Sequence, residues 1–204
     1  MGGSSLHIVK FSESSPSRDK CREIVQKILQ SELGYDLLPK LSFDELGKPS
    51  IEENSKLAFS YAHSPSQLVI AIDSAARSIG IDSEPMSRNE ELCRITDMAF
   101  SAKELQSMKN NYFIYKWCLK EAALKRYGTG FRFGNPNEYT VNYNNGLYVL
   151  CHEGAILQKG CYAKITDEKN ITVVCSEGTM SWKQHQYYYL EKGKVDKCRV
   201  NESR

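Results

Sequence analysis

The stretch Trp117-Cys118-Leu119-Lys120-Glu121-Ala122-Ala123-Leu124-Lys125 reads as the middle of a helix, and the rest of the chain is organised around it. Trp117, Glu121 and Lys125 fall at i, i+4 and i+8 and share one face, with Lys120 beside them. The spacing predicts a helix over about 112–127 that stops at Gly128, the residue type that closes helices in the left-handed conformation. Alone, this pattern describes a surface helix with a Glu121–Lys125 ion pair and Trp117 as a packing anchor.

Upstream lies Ile79-Gly80-Ile81-Asp82-Ser83-Glu84, of which residues 79–82 read as a short strand. Residues two apart on a strand point to the same side, so Asp82 and Glu84 project together if the strand extends to Glu84. Two carboxylates this close raise each other's pKa unless a cation lies between them. Oxygen donors without a neighbouring His or Cys favour Mg²⁺, which takes a few carboxylates together with phosphate oxygens and water. A lone Asp-x-Glu also fits a solvated strand end.

Working outward, residues 7–11 are a candidate strand, and Ser15-Pro16 is expected to open a helix with Pro in its first turn. Cys21, Ile24, Val25, Ile28, Leu29 and Leu33 recur at helical spacing up to Gly34. Arg18 falls in the first turn, where the backbone N–H groups favour an anion; pairing with Asp19 or Glu23 is the plain alternative. Gly47-Lys48-Pro49 is expected in a loop. Residues 57–62 and 68–73 read as strands, with His63-Ser64-Pro65-Ser66 as the turn between them.

Residues 88–127 read as helical in two or three pieces. Leu92, Ile95, Met98 and Ala99 form one apolar face, and Ser101 and Glu104 have capping-box spacing. Hairpins are expected around Asn144-Asn145-Gly146 and at 161–175, turning at 167–170. The divide falls near residue 77, giving an α+β chain with halves 1–77 and 78–190 and a polar tail, 191–204.

At 204 residues the chain is long enough to bury a core, and its net charge of +2 gives no global push toward nucleic acid. Lys116, Lys120, Lys125 and Arg126 suggest a local positive surface on the third helix, suited to an acidic partner. No apolar run approaches the roughly 18 residues of a membrane span. The start, Met1-Gly2-Gly3-Ser4-Ser5-Leu6, has no signal-peptide core and lacks a myristoylation hydroxyl at Leu6. The seven cysteines form no C-x-x-C pair, so the expectation is reduced thiols in a cytoplasmic protein.

Taken in order, Gly47-Lys48-Pro49, Phe59-Ser60-Tyr61-Ala62-His63-Ser64, Ile79-Gly80-Ile81-Asp82-Ser83-Glu84 and Trp117–Lys125 resemble the successive motifs of 4′-phosphopantetheinyl transferases, best the larger surfactin-synthetase-type subfamily. The resemblance implies two similar, pseudo-twofold halves of mostly antiparallel sheet packed with helices, an active site between them, and a monomer. It implies Mg²⁺ (or Mn²⁺) on Asp82, Glu84 and Glu121, coenzyme A as substrate, and a carrier-protein serine as acceptor. Glu121, or Glu104 through a metal-bound water, would take the serine proton. Lys125 would neutralise the transferring phosphoryl group with help from Lys120. Arg18, Lys48, Pro49, His63 and Ser64 would hold the 3′-phosphate and adenine end. Ala62 stands where the family motif carries a serine, which removes one phosphate hydrogen bond. The rival readings are a relative that binds coenzyme A or a carrier with little turnover, and a different Mg²⁺-dependent phosphoryl-transfer or nuclease activity.

Overall fold

The computed structural model describes residues 4–12, 15–52, 57–75, 77–108, 112–178, 182–191 and 194–197. In chain order the elements are β1 (Ser4–Phe11), α1 (Arg18–Leu33), β2 (Leu41–Phe43), β3 (Pro49–Ile51), β4 (Ala58–Ser64), β5 (Gln67–Asp73) and β6 (Ile79–Pro85). A 3-10 turn at Met86–Arg88 leads to α2 (Asn89–Arg94), α3 (Thr96–Ala99), α4 (Ala102–Ser107) and α5 (Phe113–Tyr127). Another turn at Pro136–Glu138 precedes β7 (Tyr139–Asn144), β8 (Leu147–His152), β9 (Ala155–Thr166), β10 (Asn170–Ser176), β11 (Trp182–Glu191) and β12 (Lys194–Lys197).

The fold is mixed α+β. One five-stranded sheet has the order β12-β11-β1-β5-β4 and the other β6-β10-β9-β8-β7. On the first sheet, Val9, Leu68, Ile70 and Ile72 pack against Cys21, Ile24, Val25, Ile28 and Leu29 of α1. On the second, Val141, Leu150, Ile171 and Val173 pack against Cys118, Leu119, Ala122 and Ala123 of α5. A third apolar cluster joins the sheets: Leu6, Ile8, Ala62, Val69 and Ala71 meet Ile79, Ile81 and Val174. Alternate residues of one strand thus serve two cores, as the period of two requires. Ala62 lies in this third cluster, 6% exposed, facing apolar side chains. Polar bonds also join the sheets: Gln67 Nε2 donates to Ser83 Oγ at 2.7 Å and to Thr172 Oγ1 at 3.2 Å.

Several expectations change. Helix α1 begins one residue after its N-cap Ser17, whose hydroxyl accepts from the Lys20 N–H, so Pro16 precedes the helix. His63 and Ser64 belong to β4, and the turn is Pro65-Ser66 alone. Gly47-Lys48-Pro49 closes a small hairpin between β2 and β3; the Asp44 carboxylate accepts from the backbone of Leu46 and Lys48. Met98 points to solvent, 69% exposed, whereas Leu92 and Ala99 are buried.

The largest change is at the C-terminal end. Strand β11 lies parallel to β1 in the first sheet, and β12 pairs antiparallel with β11. The expected half 78–190 therefore gives its final strand to the other sheet, where β11 covers the β1 edge. Of the expected polar tail, Lys194–Lys197 is strand, and 198–204 lies outside the described residues. Residues 1–3 also lie outside them.

Candidate active site

Strand β6 and helix α5 approach each other at Gly80. A Cβ there would sit 2.1 Å from the Ala122 carbonyl oxygen and 2.4 Å from the Arg126 nitrogen, so backbone meets backbone and only glycine fits. From this contact the strand runs alongside the helix. Two strand residues rise about 6.7 Å and one helical turn about 5.4 Å, so Gly80, Asp82 and Glu84 track successive turns of α5. Ile79 and Ile81 point the other way into the inter-sheet core.

Asp82 reaches the last turn of the helix. Its Oδ1 accepts from Lys125 Nζ at 2.7 Å. Among the described residues, Asp82 Oδ2 is buried without a hydrogen-bond partner. The Cys118 thiol beside it is a weak donor; burial first, then the Asp82 and Glu84 charges, keep that thiol neutral. Glu84 pairs with Arg88, four residues further along the chain. Burial, then the Asp82 charge, push the Glu84 carboxyl up to about 7, against the pull of Arg88 and Lys125. Burial and the same Asp82 charge raise Glu121. Burial works against the Lys125 ammonium, but Asp82 and Glu121 more than compensate and hold it protonated. Asp82, Glu84, Glu121 and Lys125 are thus one electrostatic unit.

The three carboxylates suit a hard divalent cation in chemistry: all offer oxygen ligands, and among the described residues one buried carboxylate oxygen stands unpartnered. Among the described residues no three acidic, imidazole or thiol side chains close around a single point. Ligation by Asp82, Glu84 and Glu121 therefore calls for side-chain rotation.

Next to Lys125 opens a cavity of about 480 Å³ lined by Arg18, Lys48, Pro49, Phe59, Tyr61 and Lys125. Four residues singled out from sequence for substrate binding share this wall. Lys48 also donates to the Arg126 carbonyl at 3.1 Å, which satisfies a free carbonyl at the end of α5. Burial lowers its pKa. His63 is exposed; burial of part of its ring, then Arg18 and Lys125, lower its pKa, so it lies in the same positive field. His63, Ser64 and Glu84 line an adjoining groove of about 500 Å³. The Ser64 hydroxyl is buried and donates to Asn170 Oδ1 at 3.3 Å, a bond between the sheets.

Glu104 and Lys120 stand apart from this cluster. Lys120 is fully buried, and its ammonium donates to the Ala99 carbonyl (2.9 Å), the Pro136 carbonyl (3.1 Å) and Glu104 Oε2 (2.9 Å). Glu104 Oε2 also accepts from the Ser101 N–H at 3.0 Å and completes the capping box of α4. Its Oε1 accepts from the Val141 N–H at 3.0 Å and pairs with Lys116. Both side chains are saturated by the protein itself.

The expected positive face of α5 is corrected too. Lys116, Lys120 and Arg126 are 4%, 0% and 7% exposed and hold internal partners. Lys125, at 33%, is the cation of the four that solvent reaches. Sequence reading missed the parts played by Gly80, Gln67 and Arg88. Gly80 sits inside the acidic motif, and that position was its one available signal.

Residues 78–170 match the family model described as the 4′-phosphopantetheinyl transferase superfamily. The chain is also 32% identical over 95 residues to the 4′-phosphopantetheinyl transferase psf-1 of Bacillus pumilus, an overlap of 43% of this chain and 39% of that protein. The chain thus spans about two fifths of the length of this curated relative. The matched segment carries β6, α5 and the acidic cluster between them, and it is this segment that is similar to the 4′-phosphopantetheinyl transferase superfamily.

Proposed function

We propose that this protein transfers the 4′-phosphopantetheine group of coenzyme A to a serine of an acyl or peptidyl carrier protein, with Mg²⁺ as cofactor, releasing 3′,5′-ADP. The observation that carries this reading is the position of Lys125. It links a partly unsatisfied buried carboxylate, Asp82, to a cavity whose other cations are Arg18 and Lys48.

Arg18 and Lys48 form the positive surface for the 3′-phosphate end of coenzyme A, with His63 as a further polar contact. Arg18 adds its guanidinium to the free N–H groups at the start of α1. Pro49 shapes the cavity wall. Lys125, held protonated, neutralises charge that builds on the phosphoryl group as the carrier serine attacks. Glu121 takes the serine proton. Asp82, Glu84 and Glu121 would hold Mg²⁺, or Mn²⁺ in its place. When bound, that ion supplies Lewis-acid polarisation of the phosphoryl oxygens. Glu104 and Lys120 have a supporting part in this reading, since every donor and acceptor they offer toward the site is already taken.

The two-half, surfactin-synthetase-type organisation, with the active site between pseudo-twofold halves, belongs to the same proposal. Among the described residues, each sheet has five strands and one long covering helix, which supports it. Among the same residues, the parallel β1–β11 pair has no counterpart in the second sheet. No helix among the described residues is long and apolar enough to cross a membrane, which is compatible with the proposed cytoplasmic monomer.

The test is to incubate the protein with coenzyme A, Mg²⁺ and a panel of apo carrier proteins and weigh each carrier by intact mass. One phosphopantetheine added to at least one carrier is the expected result. No gain on any carrier, with coenzyme A binding intact by calorimetry, would replace transfer by simple binding.

A further inference from the structure

We infer that Arg88 is an internal counter-cation that competes with metal for Glu84, and that Glu91 is its alternative partner when it leaves. This rests on the reading of Asp82, Glu84 and Glu121 as metal-binding carboxylates.

Glu84 is only 13% exposed and its carboxylate is covered by the Arg88 guanidinium. Arg88 is 31% exposed and ends a short 3-10 turn, so its side chain has room to move. The same guanidinium already reaches Glu91: Nε lies 3.5 Å from Glu91 Oε2, and Glu91 is 64% exposed. The two carboxylates compete for Arg88 from opposite sides, one buried toward α5 and one in solvent. All of these residues line the groove that also holds His63 and Ser64.

A cation entering beside Asp82 and Glu84 meets a carboxylate already neutralised. Glu84 cannot serve a metal and a guanidinium at full strength together, because both need the same lone pairs. Metal binding therefore includes the cost of releasing Arg88, and Glu91 offsets part of it by receiving the guanidinium. Lys125 covers Asp82 in the same way, but it belongs to the reaction itself. Arg88 is free of that duty and acts as a positioning residue that sets metal affinity.

The experiment is a double-mutant cycle on the full chain, read as Mn²⁺ affinity by electron paramagnetic resonance or calorimetry without coenzyme A. Arg88→Met should tighten Mn²⁺ binding by about threefold to tenfold, the range of a partly exposed ion pair. Glu91→Gln should weaken it by about twofold to threefold in the wild-type background and leave it unchanged in the Arg88→Met background. An equal effect of Glu91→Gln in both backgrounds means simple long-range attraction and overturns the exchange. Unchanged or weaker binding in Arg88→Met overturns the competition while leaving the metal site standing. Wild-type protein that binds no Mn²⁺ overturns the metal reading itself, and this inference with it. Circular dichroism of each variant confirms that the fold is retained.

Discussion

Helix α5 carries two lysine–carboxylate pairs five residues apart, and they have opposite characters. Lys120 and Glu104 are closed: both are almost fully buried, and each ammonium or carboxylate position has a protein partner. Lys125 and Asp82 are open: the lysine is one-third exposed, one aspartate oxygen lacks a partner, and two further carboxylates crowd the pair. A saturated pair has nothing left to give a ligand. An unsaturated one stores unfavourable electrostatics that a ligand can relieve. The same two residue types thus fasten the fold at one turn of the helix and prepare a site at the next.

The comparison breaks most sharply at the closed pair. Glu104→Ala should strand Lys120 in the core and cost about 3–5 kcal/mol in urea denaturation, because a buried charge loses its counter-charge. A loss under about 1 kcal/mol would mean that the pair is not structural. Lys125→Ala should show the reverse pattern. The urea midpoint should fall by less than in Glu104→Ala, because this pair is partly exposed, while the transfer rate falls by about a hundredfold to a thousandfold, the cost of losing one charge-stabilising donor. A variant that loses stability and keeps its rate would exchange the two roles.

The contact that brings the open pair together is the next target. Gly80→Ala places a methyl group against the α5 backbone and should cost about 1–3 kcal/mol, with Lys125 displaced from Asp82. Unchanged stability would show that strand and helix have slack there. The smallest effect is in the pH profile. Glu84 binds its proton more tightly folded, at about 7, than its ordinary value of 4.5. Its contribution to stability is therefore greatest at low pH and is lost as pH rises between those values. In EDTA the protein should lose about 1–2 kcal/mol from this group between pH 5 and pH 7.5, and Glu84→Gln should reduce the slope to the part that Glu121 contributes. An undiminished slope in Glu84→Gln would assign it to other groups.

Much of the open pair was legible in sequence. The period of two on β6 aligned Asp82 with Glu84, and the helical period placed Glu121 and Lys125 on one face. Asn145-Gly146 marked the β7–β8 turn correctly, with both residues at positive φ. The closed pair was not legible. Lys120 looks like Lys125 in a helical pattern, and its true partners are carbonyls of Ala99 and Pro136, which no local pattern reveals. Strand β11 was missed for the same reason, because its partner β1 lies at the other end of the chain. Arg88 has no signal in sequence, since its importance comes from a carboxylate it shares in space.

The most direct measurement is the intact mass of an apo carrier incubated with coenzyme A, Mg²⁺ and either wild-type protein or Glu121→Ala. The wild type should add one phosphopantetheine and the variant none, with both proteins melting alike. Equal transfer by the two would contradict the claim that the unsatisfied carboxylate cluster performs the chemistry.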